Sequence, residues 1–326
     1  MNLANKYKPL TFNAVIGQSI PKTILTHQIN THTVGKAYLF CGGSGTGKST
    51  MARIFGSMLT GDLSTVLELD TATHNSVDEM RELIESARRS PIVGNKRVII
   101  LDECHLLSNS AGNVLLKTLE DELPDTIFIL CTTNPEKVLP TIRNRTQIMR
   151  FVPVDTEAIK SHLINIITSE GYVTLNMHTI VDIISEHANG SVRNAITMLE
   201  QVLGLGDSMD NTDNVCNLLG IPNNESISKF AIKTTCTDFN INDIVRDIDN
   251  FIKIGSTPSS IAESLFKQYV REAIFNANKD EYKRKLSMTL ASKLRQCLFE
   301  MKQTSAQRDL LVSYFLEVYE MKRGMI

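Results

Sequence analysis

Short apolar runs alternate with amphipathic segments over the first 150 residues of the chain. Such runs, rich in β-branched and aromatic residues, are typical of strands buried on both faces of a parallel sheet. They are AYLFCGG (37–43), TVLELD (65–70), KRVIILDE (96–103), TIFILCTT (126–133) and QIMRFVP (147–153). Helical patterns lie between them: KSTMARIFGSML, SVDEMRELIESARR and SAGNVLLKTLEDEL. The alternation predicts an α/β domain whose five-stranded parallel sheet is flanked by helices.

Beyond residue 155 the strand pattern fades and only the helical spacing of apolar residues continues. We predict a small helical domain from 156–169, 178–189 and 191–203, then a Gly/Asp/Asn-rich linker or turn at 204–214. Further helices are expected at 241–254, 259–277 and 308–322, with a charged break, KDEYKRK, at 279–285. The predicted domains are 1–154, 155–206 and 215–326.

Composition narrows the class of protein without identifying it. The 326 residues are 42% hydrophobic and 21% charged, as in a soluble globular protein. A net charge of −2 gives no global basic signature, so any nucleic-acid contact has to be a local patch. With no signal peptide and no apolar membrane span, we expect a cytoplasmic chain (host cytoplasm if it is viral) that contacts no membrane. The cysteines include Cys41, Cys104 and Cys131 in or beside apolar runs, which predicts buried free thiols.

The segment GGSGTGKS (42–49) fits the phosphate-binding pattern G-x-x-x-x-G-K-[ST] and stands between a predicted strand and a predicted helix. Glycines let successive backbone N–H groups face an anion at a helix start. The alternative, a flexible Gly/Ser turn, does not explain this agreement of pattern and context. Lys48 is expected to reach the β- and γ-phosphates and Ser49 to bind Mg²⁺. The full predicted phosphate site is Gly42, Gly43, Ser44, Gly45, Thr46, Gly47, Lys48, Ser49 and Thr50.

Polar residues end two other predicted strands. Asp102 and Glu103 close VIILDE, where an Asp supports Mg²⁺ in phosphate-loop enzymes and a Glu can polarise water as general base. The alternative for such a pair is an acidic helix start, which the preceding phosphate loop makes the weaker interpretation. Thr133 or Asn134 could bond to the γ-phosphate or the water, or simply cap a turn.

Two segments contain arginines whose positive charge requires a compensating partner or a function. Arg193 falls in the first turn of a predicted helix, where the helix dipole disfavours positive charge. Either a phosphate or a nearby carboxylate could compensate. The stretch TIRNRTQ (141–147) carries Arg143 and Arg145 after a predicted strand, and each either caps a surface turn or reaches a phosphate.

Taken together, these segments resemble a family: the AAA+ ATPase subunits of sliding-clamp loaders, most closely the tau/gamma subunits of the bacterial replicase. The resemblance covers about residues 1–205 in the family's order. The matching segments are KYKPLTFNAVIGQ, AYLFCGGSGTGKSTMARIF, LELDTATHNSVDEMREL, VIILDECHLLSNSAGNVLLKTLED, FILCTTNPEKVLPTIRNR and GSVRNAITMLEQ. It implies a P-loop AAA+ domain, a small helical lid and an all-helical collar that serves oligomerisation.

The resemblance also implies roles for single residues. Asp102 and Glu103 become the Walker B pair, with Ser49 and Asp102 at Mg²⁺, and Thr133 and Arg193 become sensors 1 and 2. Arg145, within Asn-Arg-Thr where the family has Ser-Arg-Cys, becomes an arginine finger that serves the neighbouring subunit's ATP in trans. Arg143 is the other candidate and reads more simply as a surface residue. The expected adenine pocket comprises Tyr7, Pro9, Val15 and Ile16.

By the same resemblance, the chain uses ATP and Mg²⁺ to open a sliding clamp and load it on primer–template DNA. It would do so within a homo- or hetero-oligomeric ring, pentameric in the family. Only TGDLST (60–65) stands where bacterial relatives carry a four-cysteine module, so no zinc is expected, nor the long C-terminal extension of tau. Candidate DNA contacts are Ser108, Asn109, Arg88, Arg89, Lys96 and Arg97. The resemblance places the clamp-facing surface near 90–95, so Arg88 and Arg89 could serve the clamp instead.

Two other functions stay open at this stage. Another AAA+ DNA motor, such as a Holliday-junction branch-migration helicase, predicts a winged-helix C-terminus, whereas 241–322 reads as helical. A non-catalytic clamp-loader scaffold predicts a degraded phosphate site, whereas Lys48, Asp102 and Glu103 are all present.

Overall fold

The computed structural model describes residues 2–62, 65–88, 96–121, 123, 125–235 and 240–323. The chain divides into two compact units. One contains the residues up to Val173 together with Val181–Glu200. The other contains Thr174–Ile180 and the described residues from Gln201 onward. The three-part boundaries at 154, 206 and 215 stay a prediction.

Five strands in the described part of the first unit form one parallel sheet in the order β2–β3–β4–β1–β5. This confirms the predicted sheet, although every strand except β2 ends one to three residues before its predicted limit. The strands are β1 (Ala37–Cys41), β2 (Val66–Asp70), β3 (Arg97–Asp102), β4 (Thr126–Thr132) and β5 (Gln147–Arg150).

The central strands are apolar throughout because both faces of the sheet are covered. In β1, Tyr38 and Phe40 pack against Met51 and Phe55 of α3 (Lys48–Thr60) on one face. The alternate residue Leu39 belongs to a second core on the opposite face, with α4 (Val77–Arg88) and α5 (Asn109–Glu120). Because side chains alternate between the two faces of the sheet, one strand contributes residues to both cores.

Helices connect the strands and continue after β5. Those up to residue 203 are α1 (Leu3–Lys6), α2 (Ser19–Asn30), α3, α4, α5, α6 (Pro140–Arg143), α7 (Thr156–Ser169), α8 (Met177–His187) and α9 (Val192–Leu203). The predicted helices agree with the observed ones to within about three residues, as is usual for helix ends. The loops that concern function lie at the carboxyl ends of β1, β3 and β4.

The second unit is helical in all of its described secondary structure. Its helices are α10 (Thr212–Leu219), α11 (Asn224–Thr235), α12 (Ile241–Lys253), α13 (Pro258–Phe275), α14 (Glu281–Met301) and α15 (Gln307–Arg323). The apolar faces of α11 to α15 share one core, which includes Tyr269, Leu290 and Phe315. No strand occurs among the described residues beyond 155, as the helical interpretation predicts.

Two predictions for this region were wrong in part. The break between α13 and α14 lies at 276–280, so only the start of the charged segment 279–285 belongs to it, and α14 begins inside that segment at Glu281. The Asp280 side chain caps the helix by accepting from Lys283 N at 3.0 Å, and Lys285 pairs with Glu281 at 2.8 Å. The linker at 204–214 contains a 3₁₀ turn, Gly206–Asp210, and the start of α10. No helix in the described part of the chain is both long enough and apolar enough to span a membrane.

Candidate functional site

The loop between β1 and α3 is shaped by close backbone approaches. A Cβ added to Gly42 would lie 2.3 Å from the carbonyl oxygen of Phe151. Gly45 has φ +71°, and a Cβ there would lie 2.0 Å from Ser191 Oγ. Only glycine meets both demands without displacing its neighbours. The loop is thus pressed against the segments that follow β5 and precede α9.

Lys48 lies at the start of α3 and folds back over this loop. Its Nζ donates to the carbonyl oxygens of Gly42 at 3.0 Å and Gly43 at 2.9 Å, and the residue is 5% exposed. Carbonyl groups solvate the ammonium ion but do not neutralise it. Among the described residues Lys48 has no carboxylate partner, and a buried cation in that position favours an anionic ligand.

Ser49, in the first turn of α3, and Asp102, the last residue of β3, place two side-chain oxygen atoms close together. Ser49 Oγ donates to Asp102 Oδ2 at 2.7 Å. The other oxygen, Oδ1, accepts from the backbone N–H of Glu103 at 3.1 Å. Hard cations such as Mg²⁺ prefer oxygen ligands of this kind, so the pair fits a magnesium ion bound together with phosphate.

Glu103 is held in an unusual conformation. Its backbone is left-handed, with φ 49° and ψ 41°, which is uncommon for a residue with a side chain. Its Oε2 accepts from Thr133 N at 3.1 Å and from Thr133 Oγ1 at 2.9 Å. His105 Nδ1 lies 3.2 Å from the same oxygen and 3.1 Å from Thr132 Oγ1. The carboxylate is therefore fixed by the end of β4.

Lys48, Ser49, Asp102 and Glu103 line one cavity of about 450 Å³ in the first unit, a size typical of small-molecule sites. Of the predicted residues, those that line it are Tyr7, Pro9, Val15, Ile16, Ser44, Gly45, Thr46, Gly47, Lys48, Ser49, Thr50, Asp102, Glu103 and Arg193. Gly42, Gly43, Thr133, Asn134 and Arg145 are not among the lining residues.

Sequence reasoning missed several lining residues, among them Lys8, Arg53 and His162. Lys8 stands between two predicted pocket residues, and Arg53 follows Ser49 by one helical turn, so both carried a usable signal. His162 carried none, because it sits within an ordinary amphipathic helix. Burial lowers the pKa of His162, and burial followed by the charge of Arg53 lowers the pKa of Lys8.

Tyr7 is oriented at the cavity wall by a charged partner. Its hydroxyl donates to Glu170 Oε1 at 2.5 Å, and Lys6 Nζ lies 2.6 Å from the same oxygen. The hydrogen bond to Glu170 raises the pKa of Tyr7, while the Lys6 and Tyr7 hydrogen bonds lower the pKa of Glu170. Tyr7 thus presents a fixed aromatic surface beside Val15.

The arginines predicted for function occupy different environments. Arg193 lines the cavity, and its Cβ faces Gly45 of the loop. Arg145 pairs instead with Glu120 Oε1 at 2.6 Å and donates to Thr141 O at 3.2 Å. Its side chain is 41% exposed. Arg143 pairs with Glu136 at 3.2 Å.

The residues predicted to contact DNA or the clamp are only partly described. Arg89, residues 90–95 and the side chain of Arg88 lie outside the described residues. Arg97 donates to the carbonyl of Ser86 and begins β3. Ser108 caps α5 by accepting from Ala111 N at 3.2 Å, so its side chain has a local structural role.

The thiols and the possible metal groups can also be placed. Cys41, Cys104 and Cys131 are buried and free, as predicted, and so are Cys216 and Cys297. Burial raises the pKa of Cys104 to about 12 and that of Cys131 well above its ordinary value. Among the described residues, no group of three or more His, Cys, Asp or Glu side chains is arranged to hold a metal ion. The expectation of no zinc stays a prediction.

The fold of this chain is similar to that of solved structures of a DNA motor protein. The RuvB Holliday junction branch migration motor of Thermotoga maritima superposes with a TM-score of 0.56 at 19% identity, over 69% of this chain and 78% of that one. At this identity the likeness shows the fold alone. The chain shares the P-loop α/β fold of this motor, and its described residues from Gln201 onward are helical in all of their secondary structure.

Comparison of sequences defines the family. A family model described as DNA polymerase III, delta subunit, matches residues 60–155. The tau/gamma subunit of Haemophilus influenzae is 31% identical over 67% of this chain, and the tau subunit of Bacillus subtilis 29% over 79%. The gamma subunit of Buchnera aphidicola subsp. Schizaphis graminum is 30% identical over 71% of this chain and 70% of its own length. The chain belongs to the family of DNA polymerase III tau/gamma clamp-loader subunits. It spans 35% and 49% of the length of the Haemophilus and Bacillus relatives.

Proposed function

We propose that this chain is an ATP-hydrolysing motor subunit that loads a sliding clamp onto primer–template DNA. The observation that carries the proposal is the convergence of Lys48, the Ser49–Asp102 pair and Glu103 on one cavity. Each group has the chemistry that one part of phosphoryl transfer to water requires.

The phosphate loop binds the triphosphate in this proposal. Lys48 exchanges its carbonyl partners for β- and γ-phosphate oxygens, and the backbone N–H groups at the start of α3 add further donors. Arg193 approaches the γ-phosphate from the side of α9. Tyr7, Val15 and Ile16 bind the adenine on the apolar side of the cavity.

Ser49 and Asp102 would hold Mg²⁺, since their oxygens already lie side by side. The ion, when bound, neutralises charge on the β- and γ-phosphates. Glu103 acts as general base and takes a proton from the attacking water. Thr133 and His105 set the position of that carboxylate.

The chain acts within a ring of clamp-loader subunits, taken as pentameric from the family, that grips the clamp and primed DNA. ATP binding orders the ring and the open clamp, and hydrolysis releases the clamp onto DNA. Arg145 serves the ATP of the adjacent subunit. Its exposure, and the fact that it does not line its own cavity, support this assignment.

The first test is ATP binding and hydrolysis by Lys48→Ala. Loss of hydrogen bonds from a charged donor costs about 1.5–3 kcal/mol each, so ATP affinity should fall by about tenfold to a hundredfold or more. Titration calorimetry and phosphate release measure the two effects. Lys117→Ala is the control, because Lys117 is an exposed residue on α5, away from the cavity lining.

The outcomes separate the candidate functions. Full ATPase activity of Lys48→Ala would remove the catalytic assignment, and an unmodified chain without ATPase activity would indicate a scaffold subunit. Stimulation by primed DNA and the cognate clamp together supports clamp loading. Stimulation by branched DNA that ignores the clamp would favour a branch-migration motor.

A further inference from the structure

Gln18 is a buried polar residue outside the candidate cavity that bonds to the loop forming it. It precedes α2, has a left-handed backbone (φ 53°, ψ 40°) and is 4% exposed. Its Nε2 donates to Thr46 O at 3.2 Å and to Val152 O at 2.7 Å. Its Oε1 accepts from Val152 N at 3.2 Å. The buried amide is therefore fully engaged, as buried polar groups usually are.

The two bonds to Val152 pair the side-chain amide with a backbone amide, as a neighbouring strand would. Val152 lies between the end of β5 at Arg150 and Asp155, the cap of α7. A single carboxamide thus joins the phosphate loop to the segment that leads from the sheet into α7.

The bond to Thr46 fixes the direction of a peptide group in the loop. In a planar trans peptide the C=O and the following N–H point in opposite directions. Because Gln18 holds the Thr46 carbonyl, the Gly47 N–H is turned away from Gln18, and Gly47 lines the cavity. Within the described part of the chain, the N–H groups of Gly47 and Lys48 make no hydrogen bond.

We propose that Gln18 is a positioning residue that aims the Gly47 N–H at a bound phosphate. The inference rests on the proposed function, since it names a further determinant of the same phosphate site. Gln18 touches no phosphate itself. Gln18 instead holds a backbone N–H of the loop in the direction that a bound phosphate needs, before the phosphate binds. Such preorganisation raises the affinity for the phosphate.

The test is Gln18→Glu, which keeps the shape of the side chain and removes its donors. The carboxylate repels the carbonyls of Thr46 and Val152, so the peptide before Gly47 is free to turn. Affinity for inorganic tripolyphosphate and for ATP, both with Mg²⁺, should fall at least about tenfold by calorimetry. Tripolyphosphate lacks base and ribose, so its loss of affinity reports the phosphate loop alone.

Gln28→Glu is the matched control, on the helix that Gln18 precedes. The Gln28 side chain bonds to β5, through Gln147 at 2.9 Å, and accepts from Tyr38 at 2.8 Å. In the described part of the chain it makes no hydrogen bond to the phosphate loop. It should leave both affinities unchanged. Gln18→Asn, whose amide is too short to reach Thr46 and Val152 together, is a second variant that should also lose affinity. Thermal unfolding followed by circular dichroism identifies the folded variants.

The outcomes distinguish this proposal from the function it rests on. An unmodified chain that binds neither tripolyphosphate nor ATP contradicts the proposed function. An unmodified chain that binds both, matched by folded Gln18→Glu or Gln18→Asn, overturns only the role of Gln18. If neither variant folds, Gln18 is a core residue rather than a positioning residue, and the proposal is again overturned.

Discussion

At the scale of single residues, the position of Glu103 is the most informative feature of the site. One carboxylate oxygen receives both the backbone and the hydroxyl donors of Thr133, with His105 beside it. A general base has to be aimed at its water, and a charged side chain on a strained backbone needs several contacts to stay in place. Thr133 therefore acts on Glu103 in this structure, rather than on the cavity.

We predict that Thr133→Val lowers turnover while ATP affinity is retained. The valine keeps the shape and the backbone N–H but removes the hydroxyl that donates to Glu103. Because Thr133 is not a lining residue, kcat should fall by about tenfold or more with little change in Kd, given that a positioned base contributes about 10²–10⁴ in rate. Single-turnover phosphate release and calorimetry measure the two quantities.

Thr118→Val is the control, since within the described part of the chain its hydroxyl bonds only to Val114 O, at 3.0 Å, within α5. An unchanged kcat in Thr133→Val would mean that the threonine does not position the base. A large loss of ATP affinity would instead place Thr133 at the phosphate, as sensor 1 of the family.

The residue scale also shows how far the sequence could predict the site. Lys48 follows from the phosphate-binding pattern after the first predicted strand, and Asp102 follows from its place at the carboxyl end of another predicted parallel strand. The left-handed backbone of Glu103 and the link through His105 have no local signature, because they arise from contacts between β3 and β4. Likewise, nothing near Gln18 in the sequence indicates its bonds to Thr46 and Val152.

At the scale of elements, strands were predicted better than the helices of the second unit. A buried strand can be recognised in the sequence by an unbroken apolar run, as in β4. The start of α14 is polar, and its helicity depends on the Asp280 cap and on charge pairs such as Glu281–Lys285. A charge-rich segment that forms a helix looks, by composition alone, like a break.

Close packing between elements near the phosphate loop allows a matched comparison of two glycines. Gly190 (φ +74°) and Gly171 (φ +75°) share a left-handed backbone. A Cβ on Gly190 would lie 2.4 Å from Pro153 Cβ, whereas one on Gly171 would meet nothing within 4 Å. A substitution at Gly171 therefore measures the free-energy cost of the left-handed backbone alone, and one at Gly190 measures that cost together with the cost of the steric clash.

We expect Gly171→Ala to lower the free energy of unfolding by about 1 kcal/mol, the cost of a left-handed non-glycine residue. Gly190→Ala should cost at least about 1 kcal/mol more, because overpacking adds about 1–3 kcal/mol. Urea unfolding measures both values in the same chain. Equal effects of the two substitutions would show that the segment before α9 can shift to accommodate a Cβ, and that it is not tightly packed against the residues after β5.

At the scale of the whole molecule, Arg145 poses a question that one chain cannot answer. It stands just beyond α6, 41% exposed, with its guanidinium on Glu120 at the end of α5. An ion pair this exposed contributes roughly 0–1 kcal/mol, so a phosphate could readily replace it. The site that would use Arg145 lies on another subunit, and isolated-chain measurements would therefore miss its effect.

The decisive measurement is complementation between two inactive variants in a verified assembly. Arg145→Ala should bind ATP almost as the unmodified chain does, since its own cavity keeps Lys48 and Asp102, yet an assembly made wholly of it should lose about 10³-fold or more in turnover. Mixing it with Lys48→Ala should restore activity, because about a quarter of randomly formed head-to-tail interfaces then join an intact cavity to an intact arginine. Arg143→Ala, a nearby arginine paired with Glu136, is the control and should keep its turnover. A mixture that stays inactive, or an Arg145→Ala assembly with normal turnover, would reduce Arg145 to a surface residue paired with Glu120.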